Sequence, residues 1–259
     1  TGNSGAADIT VYGACKNTLI SGNDCTSSND IGIYANAISS SLGKMRILGN
    51  YVANHTRHGI ITGYDTYNSM GVIVDGNNVV DCLSTGIYVQ SNEAAVATQT
   101  RGIIVSNNVV DSCSGAGGNN VDLAGGIVAI GQGGAIITGN TILNTGRTSA
   151  GVDRDGFTSP VTAVTQSVAI RANGEDNIGG KVIITNNTIN KSIGYGIKIY
   201  KNVPNLLIAN NHIYEAENLA LFFNLTDSAD IKYQKIINNV IDVGTSDGGG
   251  ITYIADTDN

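Results

Sequence analysis

An asparagine that keeps returning at one phase of a short apolar pattern constrains this chain more than any other feature. It stands one residue before a variable position, which is followed by Val or Ile in most units. The motif reads GNDC at Asn23, GNYV at Asn50, GNNVV at Asn78 and SNNVV at Asn108. It continues as GNTI at Asn140, TNNTI at Asn187, ANNHI at Asn211 and INNVI at Asn239. The steps are 27, 28, 30, 32, 47, 24 and 28 residues. Gly-Ile pairs at 32–33, 59–60, 86–87, 196–197 and 250–251 follow most of these landmarks, and Gly126-Ile127 follows a longer loop. A fixed repeat of this size marks a solenoid, in which each unit stacks on the next.

The apolar pattern has period two over short runs, broken by Gly and Asn, which excludes amphipathic helices. Residues 181–200 illustrate one coil. Strands are expected at 181–185, 188–190 and 196–200, with Ile183, Ile189, Ile197 and Ile199 pointing inward. Antiparallel hairpins would not hold one Asn at the same phase through eight units. Stacked strands put equivalent residues about 4.8 Å apart, so the Asn amides can hydrogen-bond along a column. Asn also tolerates the left-handed backbone of a sharp turn. The fold expected is all-β: a single-stranded right-handed parallel β-helix of about nine coils with an Asn ladder, on the order of 40 Å long. Residues 1–8 read as a flexible lead-in, 9–254 as the β-helix and 255–259 as an acidic tail. The sequence shows no amphipathic capping helix. Its ends are therefore expected to be cut from a longer protein or covered by partner chains.

Composition narrows the function classes. Trp is absent, Pro occurs twice and Gly 34 times, which suits thin coils with many tight turns. With a net charge of −7 and few charged residues, neither nucleic acid nor an anionic membrane surface is an expected partner. No run of 18 apolar residues exists, so no membrane span is expected. No signal peptide is visible. Cys15, Cys25, Cys82 and Cys113 match no zinc spacing. Cys25 occupies the place of Val52 and Val80 and reads as a stacked core thiol. Cys82 and Cys113 lie at near-equivalent points of neighbouring coils, with a disulfide as the lesser alternative. The N-x-S/T triplets at Asn54, Asn186, Asn190 and Asn224 are expected by chance in so Asn-rich a chain.

The third strand of each coil has outward positions that form columns. In order they are Tyr34 and Asn36, Ile61, Tyr88 and Gln90, Val128, Arg171, Lys198 and Tyr200, then Phe222 and Asn224. Arg171, Lys198 and Tyr200 form the denser polar cluster. The longest insertion, 143–166, leads into it with Asp153 and Asp155, and Glu175 and Asp176 leave it. Insertions in repeat proteins tend to map to a binding face. A sugar chain suits such a face: Tyr rings stack on pyranose rings, and Arg and Lys hold carboxylates. A uronate lyase or epimerase must neutralise the carboxylate and remove the neighbouring proton, work for Arg171, Lys198, Tyr200 or His58. A glycosidase needs two carboxyls about 5–9.5 Å apart, supplied by Asp153, Asp155, Glu175, Asp176 or Asp122. The plainer alternatives are a solvated Arg171–Lys198 pair, and turn chemistry or a calcium-like oxygen cluster at Asp153–Asp155. A second candidate site is NHTRHGI at 54–60. There Arg57 and His58 lie in a loop near Tyr34, Tyr64 and Tyr88, and His58 is either a general base or a hydrogen-bonded loop residue. His55 and His212 are weaker candidates.

The NNxI and GIxV coils at 78–89, 108–128 and 187–199 resemble the pectate-lyase-like right-handed β-helix superfamily over nearly the whole chain. Two branches are similar. Bacteriophage tailspike depolymerases carry such rods, and that resemblance implies a homotrimer, a virion or extracellular location and a bacterial surface polysaccharide as substrate. Mannuronan C5-epimerases and related alginate lyases have an Arg-His-Gly stretch like Arg57-His58-Gly59. Their Tyr-Gly-Phe-Asp-Pro-His motif is not matched, since the chain reads Tyr12-Gly13-Ala14-Cys15. The expected function is binding and cleavage of a polysaccharide by hydrolysis or elimination. The competing class is a non-catalytic glycan-binding or structural rod. No cofactor is expected beyond calcium at the acidic loops.

Overall fold

The computed structural model describes residues 7–13, 17–27, 30–37, 45–63, 71–91, 102–113, 125–131, 134–146, 167–173, 181–200, 203, 205–225, 233–242 and 249–255. These build a right-handed parallel β-helix with three faces. Sheet A has nine strands, from Ala7–Gly13 to Gly249–Ala255; sheets B and C have eight each. Each coil runs from A to B to C. A typical coil is Tyr195–Tyr200 in A, Asn205–Ala209 in B and His212–Ala216 in C. Each strand pairs in parallel with its equivalents one coil before and after. Among the described residues no helix is long and apolar enough to cross a membrane.

The core is three inward columns of branched aliphatics. Sheet A contributes Ile33, Ile60, Ile87, Ile127, Ile170 and Ile197, in register from coil to coil and all fully buried. Sheet B contributes Ile47, Val74, Val105, Ile137, Ile184 and Ile208, and sheet C Val52, Val79, Val110, Ile142, Ile189 and Ile213. Each such side chain stabilises the fold by about 1.5–3 kcal/mol. Within Lys181–Thr185, Val182 and Ile184 point inward and Ile183 outward, one residue out of phase with the expectation. Period two alone does not say which parity of V-I-I faces the core.

The ladder runs through Asn23, Asn50, Asn77, Asn108, Asn140, Asn187, Asn211 and Asn239. Its third member is Asn77, not Asn78, which is exposed. Asn50 shows the pattern. Its backbone N–H and its Nδ2 both donate to Asn77 Oδ1 at 2.9 Å, and Nδ2 also donates to the Ile20 carbonyl one coil back. The left-handed residue of this corner is the one before the ladder: Gly22, Gly49, Gly76, Asn107, Gly139, Asn186, Asn210 and Asn238 all have positive φ. Cys25 accordingly pairs with Val52, which pairs with Val79 rather than Val80. Cys25, Cys82 and Cys113 are buried thiols outside any disulfide, so no Cys82–Cys113 bridge forms. Burial, with Asp8 and Asp24 nearby, raises the Cys25 thiol above its ordinary range.

The Gly-Ile pairs mark where adjacent coils approach most closely. A Cβ on Gly59 would lie 2.4 Å from Val79 Cγ1 and 2.7 Å from the Gly86 carbonyl oxygen. Backbone cannot yield as a side-chain end can. Gly59→Ala is therefore expected to cost about 1–3 kcal/mol by overpacking, read as a lower urea midpoint with an unchanged slope. Ala169 and Ala220 hold the same column in later coils.

Candidate functional site

The outward column of sheet A is in the register expected: Tyr34, Ile61, Tyr88, Val128, Arg171, Lys198 and Phe222 on successive strands. Its two halves differ in kind. Ile31, Tyr34, Ile61, Tyr88, Val128 and Ile130 form a second buried apolar cluster on the outer face. Tyr34 and Tyr88 thus sit in a small outer core, not on an open platform. Asn36 Nδ2 donates to the Tyr34 hydroxyl at 3.2 Å, and the Tyr88 hydroxyl donates to Gln90 Oε1 at 2.8 Å.

The other half is cationic and aromatic. Arg171 pairs with Lys198, and Lys198 with Phe222, on neighbouring strands. The Lys198 ammonium lies 5.0 Å from the Tyr195 ring centroid, 5.4 Å from Phe222 and 5.8 Å from Tyr200. The Arg171 guanidinium lies 5.5 Å from the same Tyr200 ring. All four distances fall within the range at which a ring quadrupole attracts a cation. Tyr195 and Phe222 stack at 4.8 Å with planes 26° apart. Burial raises the Tyr195 phenol above its usual range, partly opposed by a hydrogen bond with Asn218. Arg171 is only 5% exposed, which removes the picture of a solvated Arg–Lys pair, while Lys198 and Tyr200 remain half-exposed.

Tyr195 is not among the residues expected from sequence, although the signal is there. The residue before each Gly of a Gly-Ile pair falls in one register position of sheet A, shared by Ile31, His58, Tyr195 and Leu219. This position borders the outward column. Phe222 is visible in the column from sequence, but its stacking on Tyr195 is not.

His58 occupies the same kind of position and is the first residue of a strand, His58–Thr62, rather than part of a loop. It is buried, 6.5 Å from the Tyr88 ring, and its Nδ1 has no hydrogen-bond partner among the described residues. Desolvation, reinforced by the charge of Arg57 and partly opposed by Asp30, lowers its pKa from 6.5 to about 4. The ring is therefore neutral at pH 7 but a weak base. Because the folded value lies below the unfolded one, its stabilising contribution is complete above pH 6.5 and is lost as pH falls toward 4. A displacement of that size is worth about 3 kcal/mol. Urea titrations at pH 7 and pH 4.5 are expected to show a drop of this order in the native chain and a smaller one in His58→Leu. Arg57 is half-buried in the bend before the strand. His55 is buried, its Nε2 3.0 Å from the Cys25 carbonyl and 3.8 Å from Asp8, and His212 is exposed beside Tyr214.

Asp153, Asp155, Glu175, Asp176, Tyr64 and Asp122 lie outside the described residues, as do the acidic loops considered for calcium. Among the described residues no group of three or more His, Cys, Asp or Glu could hold a metal ion. The structure thus brings Arg171, Lys198 and Tyr200 together, adds Tyr195 and Phe222, and sets His58 apart in the outer apolar cluster. Comparison of the chain with protein-family models, with curated proteins and with solved structures finds no match in any of the three.

Proposed function

We propose that this β-helix binds and cleaves an acidic polysaccharide on the outward face of sheet A, around Arg171, Lys198 and Tyr200. The observation that carries the reading is two cations on paired strands, flanked by three aromatic rings. That combination recognises a uronic acid: the cations hold the carboxylate and the rings take the pyranose faces. Elimination is the chemistry these groups favour. Arg171 and Lys198 neutralise the carboxylate, which acidifies the adjacent C–H. In this reading Tyr200, entering as its phenolate, takes that proton as the glycosidic C–O bond breaks and passes it to the departing oxygen, which restores the phenolate. Hydrolysis would instead draw on Asp153, Asp155 and Glu175. The weak basicity of His58 weighs against an epimerase-like route through Arg57-His58-Gly59. The setting that fits is extracellular or virion-borne, with a bacterial surface polysaccharide as substrate and trimeric assembly in the manner of the tailspike depolymerases.

The test is incubation with a panel of uronic-acid and capsular polysaccharides, following reducing ends and the absorbance of unsaturated uronate together. Both signals rising supports elimination. Reducing ends alone move the chemistry to the carboxylates. Neither signal, on a glycan shown to bind, makes the protein a binding rod.

A further inference from the structure

Sheet B carries an apolar ridge on its outer side. Ile73, Ile104, Ile136, Ile183 and Leu207 occupy one outward column on five successive strands, in unbroken parallel register. All five are half-exposed. At the strand spacing of about 4.8 Å the ridge is about 19 Å long. A sheet that turns one side to water alternates apolar-in and polar-out, so five aliphatics in file on the outer side call for a covering surface. The next outward column is small and polar over the same coils, with Asp75, Ser106, Thr138 and Thr185, so the ridge stands above it. Exposed cations continue the ridge column at both ends, Arg46 beside Ile73 and Lys235 beside Leu207. Lys181 is also exposed on this sheet, and its carboxylate, Asp75, accepts from Ser106 and Asn107.

Sheet C, which adjoins sheet B across the ladder corner, has the opposite charge. Its strands hold Asp24, Asp111, Glu215 and Asp242 against Lys191, all exposed or half-exposed. It also offers apolar contact surface: Tyr51 and Val109 are 41% and 38% exposed, and Leu143 is half-exposed. We infer that sheet B of one copy packs on sheet C of a second copy, with the rods side by side. The two faces share the same strand spacing, so the ridge can meet sheet C coil by coil. Like faces would set cations against cations or carboxylates against carboxylates. Eight strands make each face about 34 Å long and about 10–13 Å wide, roughly 400 Å². A stable interface buries about 800 Å² on each partner, so one such contact alone is weak. A contact between unlike faces can close into a ring, in which every chain uses both faces and doubles its buried area. The ring leaves sheet A, with Arg171 and Lys198, uncovered. It gives the trimeric assembly proposed above its two surfaces and does not depend on the glycan site.

Sedimentation equilibrium over a concentration series is the test, with one variant on each face. Ile104→Glu sets a carboxylate in the ridge against acidic sheet C, and Val109→Lys sets a cation on sheet C against basic sheet B. Both side chains point outward, and native circular dichroism confirms that each variant folds. The native chain is expected to form an oligomer of fixed size, and each variant alone to associate at least tenfold more weakly. An equimolar mixture of the two is expected to regain association, because the intact sheet B of the Val109→Lys chain meets the intact sheet C of the Ile104→Glu chain. A native chain that stays monomeric at every concentration would overturn the inference. So would an oligomer unchanged by either variant, or a mixture that associates no better than its parts. A ring of fixed size other than three supports these surfaces and overturns only the trimer count. Binding of a uronic-acid polysaccharide to the two variants, measured in parallel, reports on the sheet A site separately.

Discussion

Replacing Asn140 with Ala is expected to destabilise the protein by about 3–5 kcal/mol. Asn140 sits mid-ladder and is fully buried. Its Oδ1 accepts from both the backbone N–H and Nδ2 of Asn108 at 3.0 Å. Its Nδ2 donates to Asn187 Oδ1 and to the Val105 carbonyl, each at 3.0 Å. Alanine removes the hub and leaves Asn108 donors and the Val105 carbonyl without these partners in a space closed to water. Each stranded buried group costs about 1–3 kcal/mol. Chemical denaturation should show the loss as a lower midpoint. Asn78→Ala, one residue from the ladder and exposed, should stay within about 0.5 kcal/mol of the native chain. A comparable loss at Asn78 would mean the ladder does not carry the stability assigned to it.

Substituting both Arg171 and Lys198 by Ala is expected to weaken binding of a uronic-acid polysaccharide by roughly 100- to 10,000-fold, since each of the two lost hydrogen bonds to a charged group contributes about 1.5–3 kcal/mol. Arg171→Lys should recover part of the loss, because the charge remains while the planar two-pronged geometry does not. Tyr200→Phe keeps the ring that both cations face and removes only the hydroxyl. It should preserve binding and abolish elimination. Titration calorimetry for affinity and product absorbance for turnover separate the two effects. Equal loss of both in Tyr200→Phe would assign the hydroxyl to binding instead of proton transfer.

Most of the architecture is readable from the chain because a solenoid repeats its constraints. One Asn position, one Gly-Ile pair and one alternating triplet recur often enough that errors at single coils do not change the fold. Those errors are instructive. Gly76-Asn77-Asn78-Val79-Val80 offers two Asn residues, each two before a Val, so pattern alone does not separate Asn78 from Asn77. The corner geometry decides between them: the left-handed residue is Gly76, so the ladder member is Asn77. Ile183 is ambiguous for a related reason, since neither parity of Val182-Ile183-Ile184 is polar.

The site is less legible because outward does not mean exposed. Tyr34 and Tyr88 point away from the helix axis as alternation requires, yet both are buried in the outer apolar cluster. The sequence places them on a face but does not reveal that the face is covered. Arg171 and Lys198 are identifiable as neighbours because the repeat fixes their register. The aromatic cage around Lys198 is not, because Tyr195 belongs to a different register position from Phe222 and Tyr200. Its place opens only once the residue before Gly196 is known to border the outward column.

Binding of one uronic-acid polysaccharide, compared before and after chemical reduction of its carboxyl groups, tests the central claim most directly. The native chain is expected to bind the acidic form, with affinity falling as salt rises, and to lose most of that affinity for the reduced form. Equal binding to both would contradict the account, since Arg171 and Lys198 would then have no carboxylate to hold.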